Sequence, residues 1–291
     1  MEYTTANKAK ASFDDVYNAP TPHGYLDTMT GLGYQIGDQA KPFFTRAIDH
    51  IRTANRDQGH STVLDLGCSY GIGSALVLHD CTYDSLAEFF KKGEGKDVDV
   101  CIAETTEWLA RRRIQADVKC VGMDQADKAV HFGEQTGLLA RGIAKNLETG
   151  ETLTSEEESC IRQCNILFST GAIGYVGPKT LSPILKLLGK AEPENVGPVI
   201  VATLLRMFDP NPIVSCFQEH NFRFEKLSVH PLPQRNFESK DEQQKTIQLL
   251  KERGIETDGL EETGVLYADV YVGARDSDFA DFFKAVPNAD H

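Results

Sequence analysis

The chain holds a single tryptophan and four methionines in 291 residues, no Cys-x-x-Cys pair, and no apolar run near the ~20 residues of a membrane-spanning helix. No membrane partner is therefore expected. Its seven cysteines, at 68, 81, 101, 120, 160, 164 and 216, form an odd set. They read as reduced, mostly buried thiols, neither a disulfide frame nor a zinc site, and no metal is expected. Residues Met1 to Lys8 lack the apolar core of a signal peptide, so a cytoplasmic location is expected. Positive charge is scarce: 30 Lys and Arg against 43 Asp and Glu leave a formal charge of −13. Nucleic-acid binding needs a clustered basic surface, which disfavours such a partner. The one dense basic run, Arg111-Arg112-Arg113, suits an exposed helix end opposite in sign to its dipole.

What is present is ordinary globular content, 41% hydrophobic and 25% charged, enough for one large α/β domain. Residues 1–58 lack strand alternation and read as a helical N-terminal lid. Residues 59–276 read as the α/β domain, with strands expected at Thr62–Leu66, Val118–Asp124, Ile143–Leu147, Cys164–Gly171, Pro198–Leu205, Phe224–Val229 and Val265–Val272. Helices are expected between them, at Lys128–Ala140, Thr180–Leu188 and Glu242–Arg253 among others, and residues 277–291 read as a tail. Seven strands with intervening helices define a doubly wound sheet.

The segment Val63-Leu64-Asp65-Leu66-Gly67-Cys68-Ser69-Tyr70-Gly71-Ile72-Gly73 is an apolar strand entering a glycine-spaced turn and then a helix. Glycines there let the backbone turn tightly and lie against a ligand, the local shape that binds an adenosine-containing cofactor. Nicotinamide dinucleotides use Gly-x-Gly-x-x-Gly, whereas this turn is Gly-x-x-x-Gly-x-Gly. An acid ends the next strand at Asp124, 57 residues after Gly67. The usual separation is about 20, which implies an insertion of roughly 30 residues, placed at about 80–117 and carrying Trp108.

These residues resemble the class I S-adenosylmethionine-dependent methyltransferases over roughly residues 60–275. The resemblance is carried by Asp65-Leu66-Gly67-Cys68-Ser69-Tyr70-Gly71, Val121-Gly122-Met123-Asp124 and Leu167-Phe168-Ser169-Thr170-Gly171. It implies a Rossmann-like methyltransferase fold and S-adenosyl-L-methionine as cofactor. Gly67, Cys68, Ser69 and Gly71 would cradle its methionine part and Asp65 its amino group. Asp124 would accept from both ribose hydroxyls, as one carboxylate can. Gln125 would border the adenine, with Asn146 and Leu147 replacing the family's usual acid-plus-apolar pair. Tyr25 and Tyr34 of the lid, and Ser169, complete the expected cofactor contacts.

Ligands of such sheets sit beyond the carboxyl ends of the strands, which makes Ser169, Thr170, Tyr175 and Arg206 the candidate catalytic residues. An aromatic face such as Tyr175 can stabilise a cation, and Arg206 can grip a carboxylate. The fourth strand lacks the Asn/Asp-Pro-Pro-Tyr run associated with many enzymes that methylate bases or glutamine. The expected partner is accordingly a small-molecule substrate, and a homodimer is left open. Three functions stay open: methyl transfer to a small molecule of specialised metabolism; intramolecular cyclisation of S-adenosylmethionine, as in the azetidine-2-carboxylate synthases, which Tyr17-Asn18-Ala19-Pro20, Gly24-Tyr25, Tyr34-Gln35-Ile36, Ser169-Thr170-Gly171 and Gly174-Tyr175-Val176 resemble; and a non-catalytic cofactor-binding subunit.

Overall fold

The computed structural model describes residues 14–55, 61–189 and 196–286. The outer parts of the expected lid and tail, and residues 56–60 and 190–195, lie outside them.

The central sheet follows from strands whose alternate residues are apolar on both faces, the pattern of a sheet covered on both sides. Strands β1 (Ser61–Leu66), β2 (Val118–Asp124), β3 (Arg141–Ala144), β4 (Ile166–Thr170) and β5 (Val199–Leu205) are parallel to their neighbours. β8 (Val265–Arg275) runs antiparallel to β5, and β6 (Phe222–Lys226) and β7 (Leu232–Asn236) both pair with β8. The order is β3-β2-β1-β4-β5-β8-β6, with β7 off this path. The chain fills the sheet outward from β1 in one direction and then resumes at β4 on its other side, so the crevice between the ends of β1 and β4 is the topological switch point.

The sheet's period of two divides its side chains between two apolar layers. Leu64, Ile200, Ala202 and Leu204 join one layer with the helices α9 (Pro178–Leu188) and α10 (Asn211–Glu219). Val63, Val199 and Val201 join the other with α3 (Ile36–Ala54) and α12 (Asp276–Ala285). This is the doubly wound α/β arrangement expected from the sequence, with one strand more.

The remaining helices are α1 (Asp14–Tyr17), α2 (His23–Gly31), α4 (Ile72–Leu78), α5 (Tyr83–Lys92), α6 (Val98–Ala110), α7 (Asp127–Gln135), α8 (Ser155–Arg162) and α11 (Lys240–Glu252). The insertion is thus a helix pair, α5 starting from a Thr82–Ser85 capping box, and it forms a third apolar cluster with α2 and α4. Tyr25, Tyr70, Leu76, Phe90 and Phe132 meet there, joining lid and insertion to the helix that follows the glycine turn.

Three expectations need correction, and one strand, β7, falls where the sequence carries no expectation. The segment read as a tail begins with α12, whose Phe279 and Phe282 are buried on the sheet. The third strand stops at Ala144, so Asn146 and Leu147 lie beyond it, Leu147 opening a short 3-10 turn. The helix expected to reach Ala140 ends at Gln135, because Gly137 takes φ +75 and turns Leu138 and Leu139 back into the core.

Candidate functional site

The turn after β1 has the backbone that its glycines permit. Gly67 and Gly71 have φ of +78 and +80, and a Cβ on Gly67 would stand 2.2 Å from the Cβ of Ala172. The turn is tied to the end of β2, since Gly67 N–H donates to the Met123 carbonyl at 2.8 Å. Between the glycines Ser69 also takes a positive φ, +48, which costs a non-glycine residue free energy and marks functional turns. Its N–H donates to Asp124 Oδ2 at 2.9 Å. Asp124 Oδ1 accepts from Ala126 N–H at 3.0 Å, so two backbone amides fix the carboxylate at the strand end.

Asp65 is 4% exposed and accepts from Ser74 Oγ at 2.6 Å. Burial pushes its carboxyl up to about 6, against the opposing Ser74 hydrogen bond and with the nearby Asp124 charge adding to the rise. A Cβ on Gly73 would lie 3.6 Å from Asp65 Oδ2 and 3.7 Å from Thr170 Oγ1, which places the ends of β1 and β4 around one point. At this end Ser69 Oγ, Thr170 Oγ1 and Gln234 Oε1 are buried without hydrogen-bond partners. Native interiors seldom leave such groups unmet, and each is a place where a ligand can supply the missing bond.

Beyond Asp124, Asn146 Nδ2 donates to Gln125 Oε1 at 2.5 Å, and Lys145 N–H donates to the Asp124 carbonyl at 3.0 Å. Gln125 and Asn146, both expected at an adenine edge, are thus bonded to each other just beyond Asp124. From the lid, Tyr25 and Tyr34 bring their phenols together, and burial raises both far above their ordinary value. Tyr17 stacks obliquely on Tyr25, and Tyr34 on Tyr83, each at 5.1 Å between centroids. The phenol of Tyr34 feels the charge of Asp65. These tyrosines form an aromatic wall beside the glycine turn.

The four catalytic candidates fare unequally. Thr170 stays at the site. Ser169 is fully buried and its Oγ donates to the Leu66 carbonyl at 3.0 Å, which makes it a stitch between β4 and β1. Arg206 is removed outright: its guanidinium donates to Glu261 at 2.7 Å and to the Glu256 carbonyl at 2.6 Å, closing a buried ion pair. Tyr175 is 39% exposed and sets its ring edge-on to Phe208 at 5.6 Å. Cys68 is buried, and its Sγ reaches only the Ser69 carbonyl, at 3.5 Å.

Sequence reading missed Gln234, Ser74 and Thr203, whose Oγ1 accepts from Gly171 N–H at 2.9 Å. Ser74 sits in the helix directly after the turn and was within reach of the motif; Gln234 lies in a proline-flanked polar run that carries no pattern. No group of three or more metal-ligating side chains exists among the described residues, and no helix among them is long and apolar enough to cross a membrane. A groove of about 720 Å³ between α3 and the end of α12, lined by Lys41, Arg46 and His50, includes none of the site residues.

The donor and acceptor set fits S-adenosylmethionine. A buried carboxylate, Asp65, suits an ammonium group, and a backbone-fixed carboxylate, Asp124, suits a diol. Of the unmet groups, Ser69 Oγ belongs to the turn that joins them, and Thr170 and Gln234 lie on the β4 side of Asp65.

No family model matches the chain, and no curated protein matches it. Solved structures do resemble it in chain path. A carbon methyltransferase covers 88% of this chain and 61% of its own at 10% identity, with a TM-score of 0.46. A plantazolicin methyltransferase crystallised with a substrate analogue and S-adenosylhomocysteine covers 94% and 96% at 11% identity, with a TM-score of 0.42. Magnesium protoporphyrin IX methyltransferase from Synechocystis PCC 6803, with bound S-adenosylmethionine, covers 94% and 98% at 10% identity, with a TM-score of 0.40.

Proposed function

We propose that the protein is an S-adenosylmethionine-dependent methyltransferase acting on a small molecule. The observation that carries this reading is the pairing of two carboxylates across the glycine turn. Asp65 lies buried on one side of it, and Asp124 is fixed by the Ser69 N–H on the other. That arrangement suits a ligand with an amino group and a ribose, one for each carboxylate. When bound, the sulfonium supplies an activated methyl group. The chain's contribution is then placement and exclusion of water, which for such a transfer are the main requirements. The tyrosine wall and the apolar cluster of the insertion helices serve that exclusion.

A second reading is favoured by one observation. The Tyr25–Tyr34 pair and the buried Asp65 make a dry, acceptor-rich wall, which would suit cyclisation of the cofactor by its own amino group. Incubation with S-adenosylmethionine followed by mass spectrometry separates the two. S-adenosylhomocysteine formed only with an acceptor supports methyl transfer. Methylthioadenosine formed without one supports cyclisation. Binding with neither product, over a broad panel of amine, hydroxyl and carboxyl acceptors, leaves a non-catalytic subunit.

A further inference from the structure

We propose that Gln234 is a ligand-contacting residue: the bulge on β7 sets its side-chain amide beside Gly171 at the end of β4, where its buried and unmet Oε1 accepts a hydrogen from an amino group of the bound molecule, alongside Asp65 and Thr170. This rests on the cofactor reading above.

Register identifies the bulge. Leu232 pairs with Ala268 and Pro233 with Tyr267, yet Arg235 pairs with the next residue, Leu266, so Gln234 is the extra one. An extra residue leaves the ladder and re-aims its side chain, and bulges concentrate beside active sites. This bulge is held firmly. Gln35 N–H donates to the Gln234 carbonyl at 2.8 Å, Asn236 N–H donates to the Leu32 carbonyl at 2.7 Å, and the Arg235 guanidinium donates to both oxygens of Glu242 at 2.6 and 3.0 Å.

The side chain is aimed inward. Gln234 is 5% exposed, and its Nε2 stands 2.8 Å from where a Cβ on Gly171 would be, directly after Thr170. Its Oε1 is buried and unmet, as is Thr170 Oγ1. The chemistry of the missing partner follows from what is unmet. Thr170 Oγ1 can accept or donate, whereas Gln234 Oε1 only accepts, and the nearby Asp65 is a carboxyl group. The buried arginines among the described residues, Arg206 and Arg235, are each closed on a glutamate. An unmet amide oxygen beside a buried carboxyl group favours an amine or ammonium over a carboxylate or phosphate.

Calorimetric titration of the full chain with three probes tests this: S-adenosylmethionine, S-adenosylhomocysteine and methylthioadenosine, which lacks the amino-acid portion. Gln234→Leu should weaken the first two about tenfold, the loss of one hydrogen bond to a charged group, and leave the third within about twofold. The melting midpoint without ligand should not move. Gln234→Glu, which keeps an oxygen acceptor, should hold both amino-bearing probes within about threefold of the parent protein. Equal weakening of all three probes, no weakening, weakening of S-adenosylmethionine alone, or loss of both amino-bearing probes in a folded Gln234→Glu protein would overturn the assignment. Failure of the unaltered protein to bind any probe would instead overturn the cofactor reading itself.

Discussion

Buried polar groups are treated in opposite ways at two regions of this molecule. Around β7, β8 and α11 both buried arginines are closed: Arg235 on Glu242 at 2.6 Å, and Arg206 on Glu261 at 2.7 Å. At the switch point between β1 and β4, Asp65 is buried against a serine hydroxyl with no cation, and Ser69, Thr170 and Gln234 present unmet atoms. A paired buried charge is already met by the fold, whereas an unmet polar atom leaves a place for a bond from a ligand. By this contrast Arg206 reads as structure and Thr170 as site, although both follow strands of the same sheet.

The contrast can be broken first where it is strongest. Arg235→Ala strands the Glu242 carboxylate in the interior and should cost about 3 to 5 kcal/mol, read as a large fall in the denaturant midpoint. An Arg235→Met, Glu242→Leu double substitution should recover most of it. If the single and double variants are equally destabilised, the ion pair is not what holds β7 to α11.

At the site the sign reverses. The Asp65 carboxyl sits at about 6 in the folded protein against 3.8 ordinarily, so its protonated form is the one the fold favours. Its contribution is fully present below about pH 4 and is lost as pH rises through 6. Asp65→Asn should therefore be more stable than the parent at pH 8, by about 2 to 3 kcal/mol, with the gap closing toward pH 4. The same substitution should abolish measurable S-adenosylmethionine binding. Melting curves across that pH range, beside a titration, check both halves.

Smaller effects sharpen the comparison further. Asp124→Ala should weaken S-adenosylmethionine binding about tenfold, or about 1.4 kcal/mol, and unchanged affinity would sink the ribose assignment. Tyr175→Ala, at an exposed ring, should move the melting midpoint by less than about 0.5 kcal/mol equivalent. Its turnover, once an acceptor is found, decides whether that ring belongs to the site at all.

How much of this was legible in the sequence depends on what each element buries. Strands β1, β2 and β5 are sealed on both faces, so their near-continuous apolar runs announce them, and the glycine turn with its two acids announces the cofactor end. β7 is the opposite case. Its Leu232-Pro233-Gln234-Arg235-Asn236 is polar, proline-bearing and bulged, because it pairs only along one edge and spends Arg235 on a buried ion pair. α12 was overlooked for another reason: Phe279, Phe282 and Phe283 carry a helical spacing, but three aromatics at the end of a chain were read without the sheet face that receives them. Arg206 could not be assigned from sequence, since its partner, Glu261, lies 55 positions away.

The lid's attachments carry a consequence for the order of assembly. Tyr70 Oη accepts from Ala19 N–H at 2.9 Å, Asn18 donates to Asp127 and accepts from Lys128 N–H at 2.8 and 2.9 Å, and residues 32–35 are bonded to β7. A segment near the start of the chain is thus completed by a strand made about two hundred residues later. Closing loops of that length is entropically slow, and contacts of such separation form late. Strands β1 to β5 precede β7 in the chain, so the bonds from residues 32–35 to β7 are the last of these attachments that can form during synthesis. A ligand that recognises only the finished wall then acts on the last step alone, drawing the closed form out of the ensemble by mass action.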